Sequence, residues 1–176
     1  MKLVYAGIGS RKTPLDILDK MTQIASYMKE KGWHLRSGGA DGADSAFEDG
    51  AGDDKTIFVP WKNFREGVDG DRYLSYEESE ILTPIAKEHH PVWGRLTHGA
   101  RKLHTRNVAQ VLGVTGKDPA DCIICWTPGG RVSGGTGQAL RIAETYNVPV
   151  YNMAVMSTPE IIVEVLNRAR AKSQGP

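Results

Sequence analysis

The chain has 176 residues, of which 40% are hydrophobic and 24% are charged, and its formal net charge is +1 at pH 7. This length and composition predict one compact, water-soluble globular domain with its own core. The near-zero net charge excludes a chain-wide attraction to nucleic acid or to an anionic membrane surface. No apolar segment approaches the roughly 20 residues of a membrane span, and the start of the chain lacks the pattern of a secretion signal. We therefore expect a cytoplasmic protein with no membrane partner.

Short apolar segments alternate with longer amphipathic segments along the chain. The short segments predict strands at 2–8, 33–39, 55–61, 121–127 and 148–153, and the amphipathic segments predict helices at 14–32, 43–51, 96–113, 135–147 and 158–172. The polar stretch at about 62–95 predicts an excursion from the core. Alternating strands and helices are typical of a parallel sheet with helices on both faces. We therefore predict an α/β fold, a single doubly wound Rossmann-like domain over 1–176 with a mainly parallel five-stranded sheet.

Two cysteines, Cys122 and Cys125, have the C-x-x-C spacing within "DCIICW". A redox or zinc site with this spacing needs an activated thiolate at a turn or helix start, or about two further metal ligands. Here the pair lies within a predicted strand, where positions three apart face opposite sides of the sheet. We therefore predict two core thiols and no metal site.

Three glycine-rich loops follow predicted strands. They are "GIGSRKTP" after the first strand, "SGGADGAD" after the second and "TPGGRVSGGTG" after the fourth. Doubly wound sheets bind ligands at this carboxyl edge, glycine leaves peptide amides unshielded, and a helix N-terminus attracts anions. We predict a phosphate site at the head of the helix that follows, held by Thr136 and the amides of Gly135 to Gln138, with Ser133 and Arg131 assisting.

The two best-known phosphate motifs are absent. "GIGSRK" lacks the third glycine of the dinucleotide fingerprint, and the sequence has no G-K-[ST] of a P-loop. An ordinary NAD dehydrogenase or ATPase is therefore disfavoured.

Four motifs in a fixed order resemble the SLOG superfamily of Rossmann-like proteins. They are "AGIGSR" followed by Pro14, "SGGADGADSAFEDGA", "LHTRN" and "GGTGQALRIA", and the likeness runs from about residue 4 to residue 153. It is greatest to stand-alone members related to YspA and YpsA and to the core of the DNA-processing protein DprA, also called Smf. In that group the first loop is similar to "GSR", an aspartate stands at the position of Asp44, and an R-N pair matches Arg106 and Asn107. The resemblance implies a nucleotide ligand, or single-stranded DNA as an alternative partner.

The same stretch resembles the LOG branch of phosphoribohydrolases, which act on nucleoside monophosphates. Arg106 stands at the arginine of that branch's helix motif, but the position of its catalytic glutamate is Ala139. Cleavage of an N-glycosidic bond needs a carboxylate to steady the transition state or to activate water. The resemblance therefore leaves hydrolysis open, with Arg106 catalytic and the carboxylate supplied by the second loop. The candidates are Asp41, Asp44 and Glu48, and we name Asp44 with Arg106 as the catalytic pair.

The predicted ligand- and phosphate-binding residues come from the three loops and from the "LHTRN" helix. They are Gly9, Ser10, Arg11, Arg36, Ser37, Gly38, Gly39, Asp41, Asp44, Arg106, Asn107, Gly129, Gly130, Ser133, Gly134, Gly135, Thr136 and Gly137. Four have structural alternatives: Arg11 as a solvent-facing arginine, Arg36 in an ion pair with Asp41 or Asp44, Asp44 as a helix cap, and Arg106 on a solvated basic face. His89 and His90 predict a rim over the ligand, and Trp61 predicts either base stacking or a core-edge position.

Three functions remain open at this point: nucleotide binding, N-glycosidic hydrolysis and single-strand DNA binding. The DNA hypothesis depends on basic side chains along one edge, namely Arg11, Lys12, Arg101, Lys102 and Arg106. No cofactor is required beyond a nucleotide ligand. The family resemblance and apolar helix faces such as that of 96–113 predict a homodimer or higher homo-oligomer.

Overall fold

A computed structural model describes residues 2–175. Its strands are β1 (Val4–Gly9), β2 (His34–Ser37), β3 (Lys55–Val59), β4 (Arg72–Tyr73), β5 (Cys122–Trp126) and β6 (Val150–Asn152). They form one sheet in the order β4-β3-β2-β1-β5-β6, and every neighbouring pair is parallel. The predicted Rossmann-like α/β fold is confirmed.

The predicted number of five strands is wrong, because the sheet has six. The additional strand, β4, has two residues and pairs with Phe58 and Val59 at the end of β3. It lies inside the polar 62–95 stretch, and two residues are too few to show the alternating pattern by which a strand is recognised from sequence.

The helices are α1 (Leu15–Glu30), α2 (Ala43–Ala51), α3 (Tyr76–Glu88), α4 (His98–Leu112), α5 (Gly134–Thr145) and α6 (Thr158–Ser173). Five of them match predicted helices, and α3 is additional. A capping box begins α3, because the Ser75 hydroxyl accepts from the Glu78 amide and the Glu78 carboxylate accepts from the Ser75 amide. Its buried side chains, Leu82 and Ala86, join the core against α4.

Apolar side chains form one cluster on each face of the sheet. The first cluster gathers side chains of α1, α2 and α6, and the second gathers those of α3, α4 and α5. Cys122 belongs to the first cluster and Cys125 to the second, so the two free, buried thiols face opposite sides as predicted. Burial raises the pKa of both thiols, that of Cys125 to about 12, which makes them unreactive at neutral pH.

The chain changes direction across the sheet at β1. From β1 it winds through β2 and β3 to β4, and it then returns to place β5 on the other side of β1. The last residues of these two strands, Gly9 and Trp126, are directly paired. A crevice opens at such a switch point, which places the ligand-binding position of this fold at the ends of β1 and β5.

Within residues 2–175 we find no helix with the length and apolar character needed to cross a bilayer.

Close packing of α1 against α2 depends on Gly50. A Cβ built at this position would overlap the carbonyl oxygen of Thr22 and lie 2.6 Å from the Cβ of Ala25. We expect Gly50→Ala to lower the free energy of unfolding by roughly 1–2 kcal/mol, because overpacking costs about 1–3 kcal/mol and the better helix propensity of alanine returns at most about 1 kcal/mol. Urea unfolding followed by circular dichroism measures this change.

The matched control is Gly94→Ala, where the added Cβ meets no atom within 4 Å. We expect this variant to keep the stability of the original chain. Equal stability of the Gly50 and Gly94 variants would contradict the packing argument.

Candidate functional site

A cavity of about 540 Å³ lies at the carboxyl ends of β1 and β5. Its walls are the loop after β1, the start of α2, one face of α4 and the start of α5. This volume is within the range of roughly 300–1,000 Å³ typical of small-molecule sites. The cavity therefore lies at the sheet edge where the glycine-rich loops predict a ligand.

Ten of the eighteen predicted binding residues line this cavity. They are Gly9, Ser10, Arg11, Asp44, Arg106, Asn107, Ser133, Gly134, Gly135 and Thr136. The structure thus brings together the first loop, the "LHTRN" helix and the start of α5, which are far apart in the sequence.

The other eight predicted residues are not among the cavity-lining residues. They are Arg36, Ser37, Gly38, Gly39, Asp41, Gly129, Gly130 and Gly137. The guanidinium of Arg36 donates to the carboxylate and, at 2.7 Å, to the backbone oxygen of Asp118, so neither Asp41 nor Asp44 is its ionic partner. The hydroxyl of Ser37 donates to the Gly7 carbonyl at 2.6 Å and joins β2 to β1.

The glycines of the third loop divide into two groups. Gly129 and Gly130 form a tight turn, and a Cβ on Gly130 would lie 2.8 Å from Val155. By contrast, a Cβ on Gly134 or Gly135 would meet no atom within 4 Å. The second group therefore leaves the backbone of α5 open to the cavity, as the phosphate prediction requires.

The first turn of α5 presents unpaired amides. Ser133 is the N-cap residue, and its side chain makes no capping hydrogen bond. The Gly137 amide already donates to the Ser133 carbonyl at 2.9 Å, so the predicted donors shift from Gly135–Gln138 to Gly134–Thr136. These amides have no acceptor within the helix and carry its partial positive charge.

Arg106 is a buried cation in the cavity wall. Its side chain is 6% exposed, and its Nη1 donates to the carbonyls of Gly38 and Phe58, the latter at 3.1 Å. Its Nε has no acceptor, and no carboxylate of residues 2–175 lies within 4.0 Å of the guanidinium. Burial lowers its pKa, and the negative charge of Asp44 offsets part of that effect. The alternative of a solvated basic face is wrong for this residue.

Asp44 is a buried carboxyl group of α2 that also lines the cavity. It does not cap α2, whose N-cap is Gly42; its Oδ2 accepts from the Ala40 amide at 3.2 Å. Burial raises its pKa to about 6, although the charge of Arg106 and the Ala40 amide both lower it. With this pKa the carboxyl group is mostly ionised at neutral pH.

Gly38 allows these polar groups to converge. A Cβ there would overlap Nη1 of Arg106 and Nε2 of Gln110 and would lie 2.7 Å from Oδ2 of Asp44. Gly38 is not among the cavity-lining residues. Its lack of a side chain nevertheless leaves the space that the side chains of Arg106, Gln110 and Asp44 need beside it.

Sequence reasoning missed several lining residues. Leu103, His104 and Gln110 lie on the same face of α4 as Arg106 and Asn107. The spacing i, i+3, i+4 and i+7 from Leu103 puts four of these five positions on one helical face, and that periodicity was the available signal. Gln110 is 2% exposed, and its side chain makes no hydrogen bond to a described residue.

The predicted histidine rim is wrong for His89. His89 is buried, with Nδ1 bonded to the Ile85 carbonyl at 2.8 Å and Nε2 to the Thr145 hydroxyl at 2.9 Å. Of the two alternatives for Trp61, the structure does not favour base stacking, because Trp61 is not among the cavity-lining residues and packs edge-on against Phe64. Across the described part of the chain, no three His, Cys, Asp or Glu side chains cluster as a metal site would need.

The carboxylates available for hydrolysis are few. Ala139 lines the cavity, and Asp44 is the one carboxylate among the described lining residues. The side chain of Glu48 is instead paired with Lys55 and Arg65. The hydrolase hypothesis therefore depends on Asp44 alone.

Comparison with known proteins supports the fold. No family model matches the chain, and no curated protein matches it. The chain is similar to a solved structure of DNA processing protein A from Helicobacter pylori, which was described for its single-stranded DNA binding mode. The TM-score of the two structures is 0.56, and their sequences are 17% identical. The matched region covers 85% of this chain but 64% of the Helicobacter pylori chain, which is less than two thirds. The likeness establishes a Rossmann-type fold shared with that protein.

Proposed function

We propose that the cavity binds the phosphate group of a nucleotide or of a nucleotide-derived ligand. The observation that carries this proposal is the buried guanidinium of Arg106, which lines the cavity with no described carboxylate within 4.0 Å. Buried charges in proteins are normally paired, because an isolated ion loses several kcal/mol of hydration. Asp44 offsets part of the Arg106 charge from a greater distance, and an anionic ligand would supply a direct partner.

The start of α5 supports the same proposal. Gly134, Gly135 and Thr136 line the cavity together with Ser133. No side chain covers the two glycines, because a Cβ built on either would meet no atom within 4 Å. Anions bind at such helix N-termini because unpaired amides and the helix dipole act together. The exposed cations Arg11 and Lys12 line the same cavity and add positive charge for an arriving anion.

Single-strand DNA binding is the second candidate. It is favoured by the fold shared with the Helicobacter pylori protein and by exposed cations at the cavity, Arg11 and Lys12. The predicted DNA-binding edge is smaller than expected, because Arg106 is buried and Arg101 lies over the ring of Trp93 at 5.8 Å. A strand would therefore meet few phosphate-neutralising side chains here.

The first test covers the open backbone of α5 with a side chain. Gly135→Val should abolish the rise in melting temperature that inorganic phosphate and nucleoside monophosphates produce, because the valine methyl groups would occupy the anion position. A ligand at 100 times its Kd stabilises a protein by about 2.7 kcal/mol, which a thermal melt resolves.

The control is Gly94→Val, which also adds a side chain where no atom lies within 4 Å of the new Cβ. It should keep the full ligand-induced shift. An unchanged shift in Gly135→Val would refute the proposed site.

The second test uses the pKa of Asp44, which burial raises to about 6. Asp44 is mostly protonated at pH 5 and mostly charged at pH 7.5, so its negative charge repels an anion only at the higher pH. Sulfate keeps its charge over this range, and we expect its affinity to fall about tenfold between these values, roughly 1.4 kcal/mol. Calorimetry on Asp44→Asn should show a much smaller change, and an equal fall in both proteins would contradict the role given to Asp44.

The third test addresses DNA. If the cavity edge binds a single strand, affinity for an oligonucleotide should fall with salt, with a slope near −1.4 for about two neutralised phosphates. The double variant Arg11→Glu, Lys12→Glu should abolish binding, whereas Lys29→Glu, Lys31→Glu makes the same change in net charge at the far end of α1. Equal binding by both double variants would remove the DNA candidate.

A further inference from the structure

We propose that His104 recognises the part of the ligand beyond its phosphate, by accepting at Nε2 a hydrogen bond from a donor group of the nucleoside. The donor would be a sugar hydroxyl or a base N–H. This inference rests on the proposed phosphate-binding function, and it adds a residue that determines which phosphorylated ligand the cavity prefers.

The argument begins with Gln138, whose side chain is buried in α5 with 0% exposure. Its Nε2 lies 3.1 Å from the carbonyl oxygen of Ala86 in α3. A carbonyl can only accept, so the amide nitrogen must face Ala86 and the amide oxygen must face the other way. The contact with the Ala86 carbonyl therefore determines which end of the Gln138 amide is the nitrogen and which is the oxygen.

The oxygen of that amide faces α4. Oε1 of Gln138 lies 3.2 Å from Nδ2 of Asn107 and 3.1 Å from Nδ1 of His104. An amide oxygen can only accept, so Nδ1 of His104 must carry a proton. In the neutral imidazole the other nitrogen, Nε2, then has a free lone pair and acts as an acceptor.

The surroundings keep this ring neutral. Burial lowers the pKa of His104, the positive groups of Arg106 and Arg141 and the nearby His90 ring lower it further, and the bond to Gln138 offsets part of this. Nε2 makes no hydrogen bond to any residue between 2 and 175. The ring of His104 lines the cavity and packs edge-on against the His90 ring, with centroids 4.3 Å apart.

The position of His104 suits a contact with the nucleoside. It lies on the cavity face of α4, next to Asn107, which donates to the Gly135 carbonyl at 3.4 Å in the first turn of α5. The cavity, at about 540 Å³, has room for much more than a phosphate group. A phosphate held at α5 would therefore leave its attached sugar or base within the space that His104 borders.

The first experiment examines the protein without ligand. Nitrogen-15 spectra of the imidazole groups distinguish the two neutral tautomers, and we expect His104 to carry its proton on Nδ1 at pH 7. A His104 ring protonated on Nε2 would overturn the inference without affecting the phosphate proposal.

The second experiment compares ligands. His104→Asn keeps a polar group near the Nδ1 position and removes Nε2, and His90→Asn is the control on the neighbouring ring. We expect His104→Asn to bind inorganic phosphate within about twofold of the original protein and to bind the preferred one of AMP, GMP, CMP and UMP about tenfold more weakly, the size of one hydrogen bond.

Ribose 5-phosphate separates the two donors. If it also loses about tenfold of its affinity in His104→Asn, the donor is a sugar hydroxyl, and if only the nucleotide does, the donor is a base N–H. Unchanged nucleotide affinity in His104→Asn, or an equal loss for inorganic phosphate, would overturn this inference alone. If the original protein binds neither phosphate nor any of the nucleotides, the proposed function falls and this inference with it.

Discussion

The burial of one guanidinium group organises this end of the molecule. Nη1 of Arg106 donates to the carbonyls of Gly38 and Phe58, which lie at the ends of the adjacent strands β2 and β3. The contact fixes α4 to the sheet edge at a point where both strands stop. Because those two acceptors are neutral and the nearby Asp44 carboxylate offsets only part of the positive charge, the wall that α4 forms has a residual attraction for anions.

A second buried polar group holds the opposite wall. The Gln138 side chain joins three helices, since it contacts the Ala86 carbonyl in α3 and both His104 and Asn107 in α4 from its place in α5. These three buried hydrogen bonds favour a single arrangement of the helices they connect. The distance between the two helices that border the cavity is therefore set by hydrogen bonds rather than by apolar packing alone.

Most of the fold was predictable because apolar periodicity is a local property. Five helices and five strands follow from it, whereas β4 does not, because Arg72 and Tyr73 are too short a segment to have a pattern. The positions of Gly134 and Gly135 in the site were predictable, because glycines at the start of a helix leave the backbone amides uncovered. The position of Arg36 was not predictable, because its partner Asp118 is 82 positions away in the chain and nothing local indicates the pairing.

The cavity face of α4 shows a different limit of sequence reasoning. Arg106 was identified by its resemblance to a motif, but a motif does not show that its guanidinium is buried or that no described carboxylate lies within 4.0 Å of it. His104 and Gln110 fall on the same helical face, yet their roles depend on neighbours in α5 and near Gly38. Periodicity can place such residues on one face of a helix. Their protonation, and which of their polar atoms lack a hydrogen-bond partner, can be read only from the three-dimensional contacts.

The two margins of the sheet are both short, with two residues in β4 and three in β6. A short outer strand offers few unpaired backbone groups, so a second copy of the chain would gain little by adding its own strands there. Continuous sheets that cross from one subunit to another are therefore disfavoured. A homo-oligomer of this protein would therefore associate through surfaces other than the sheet margins.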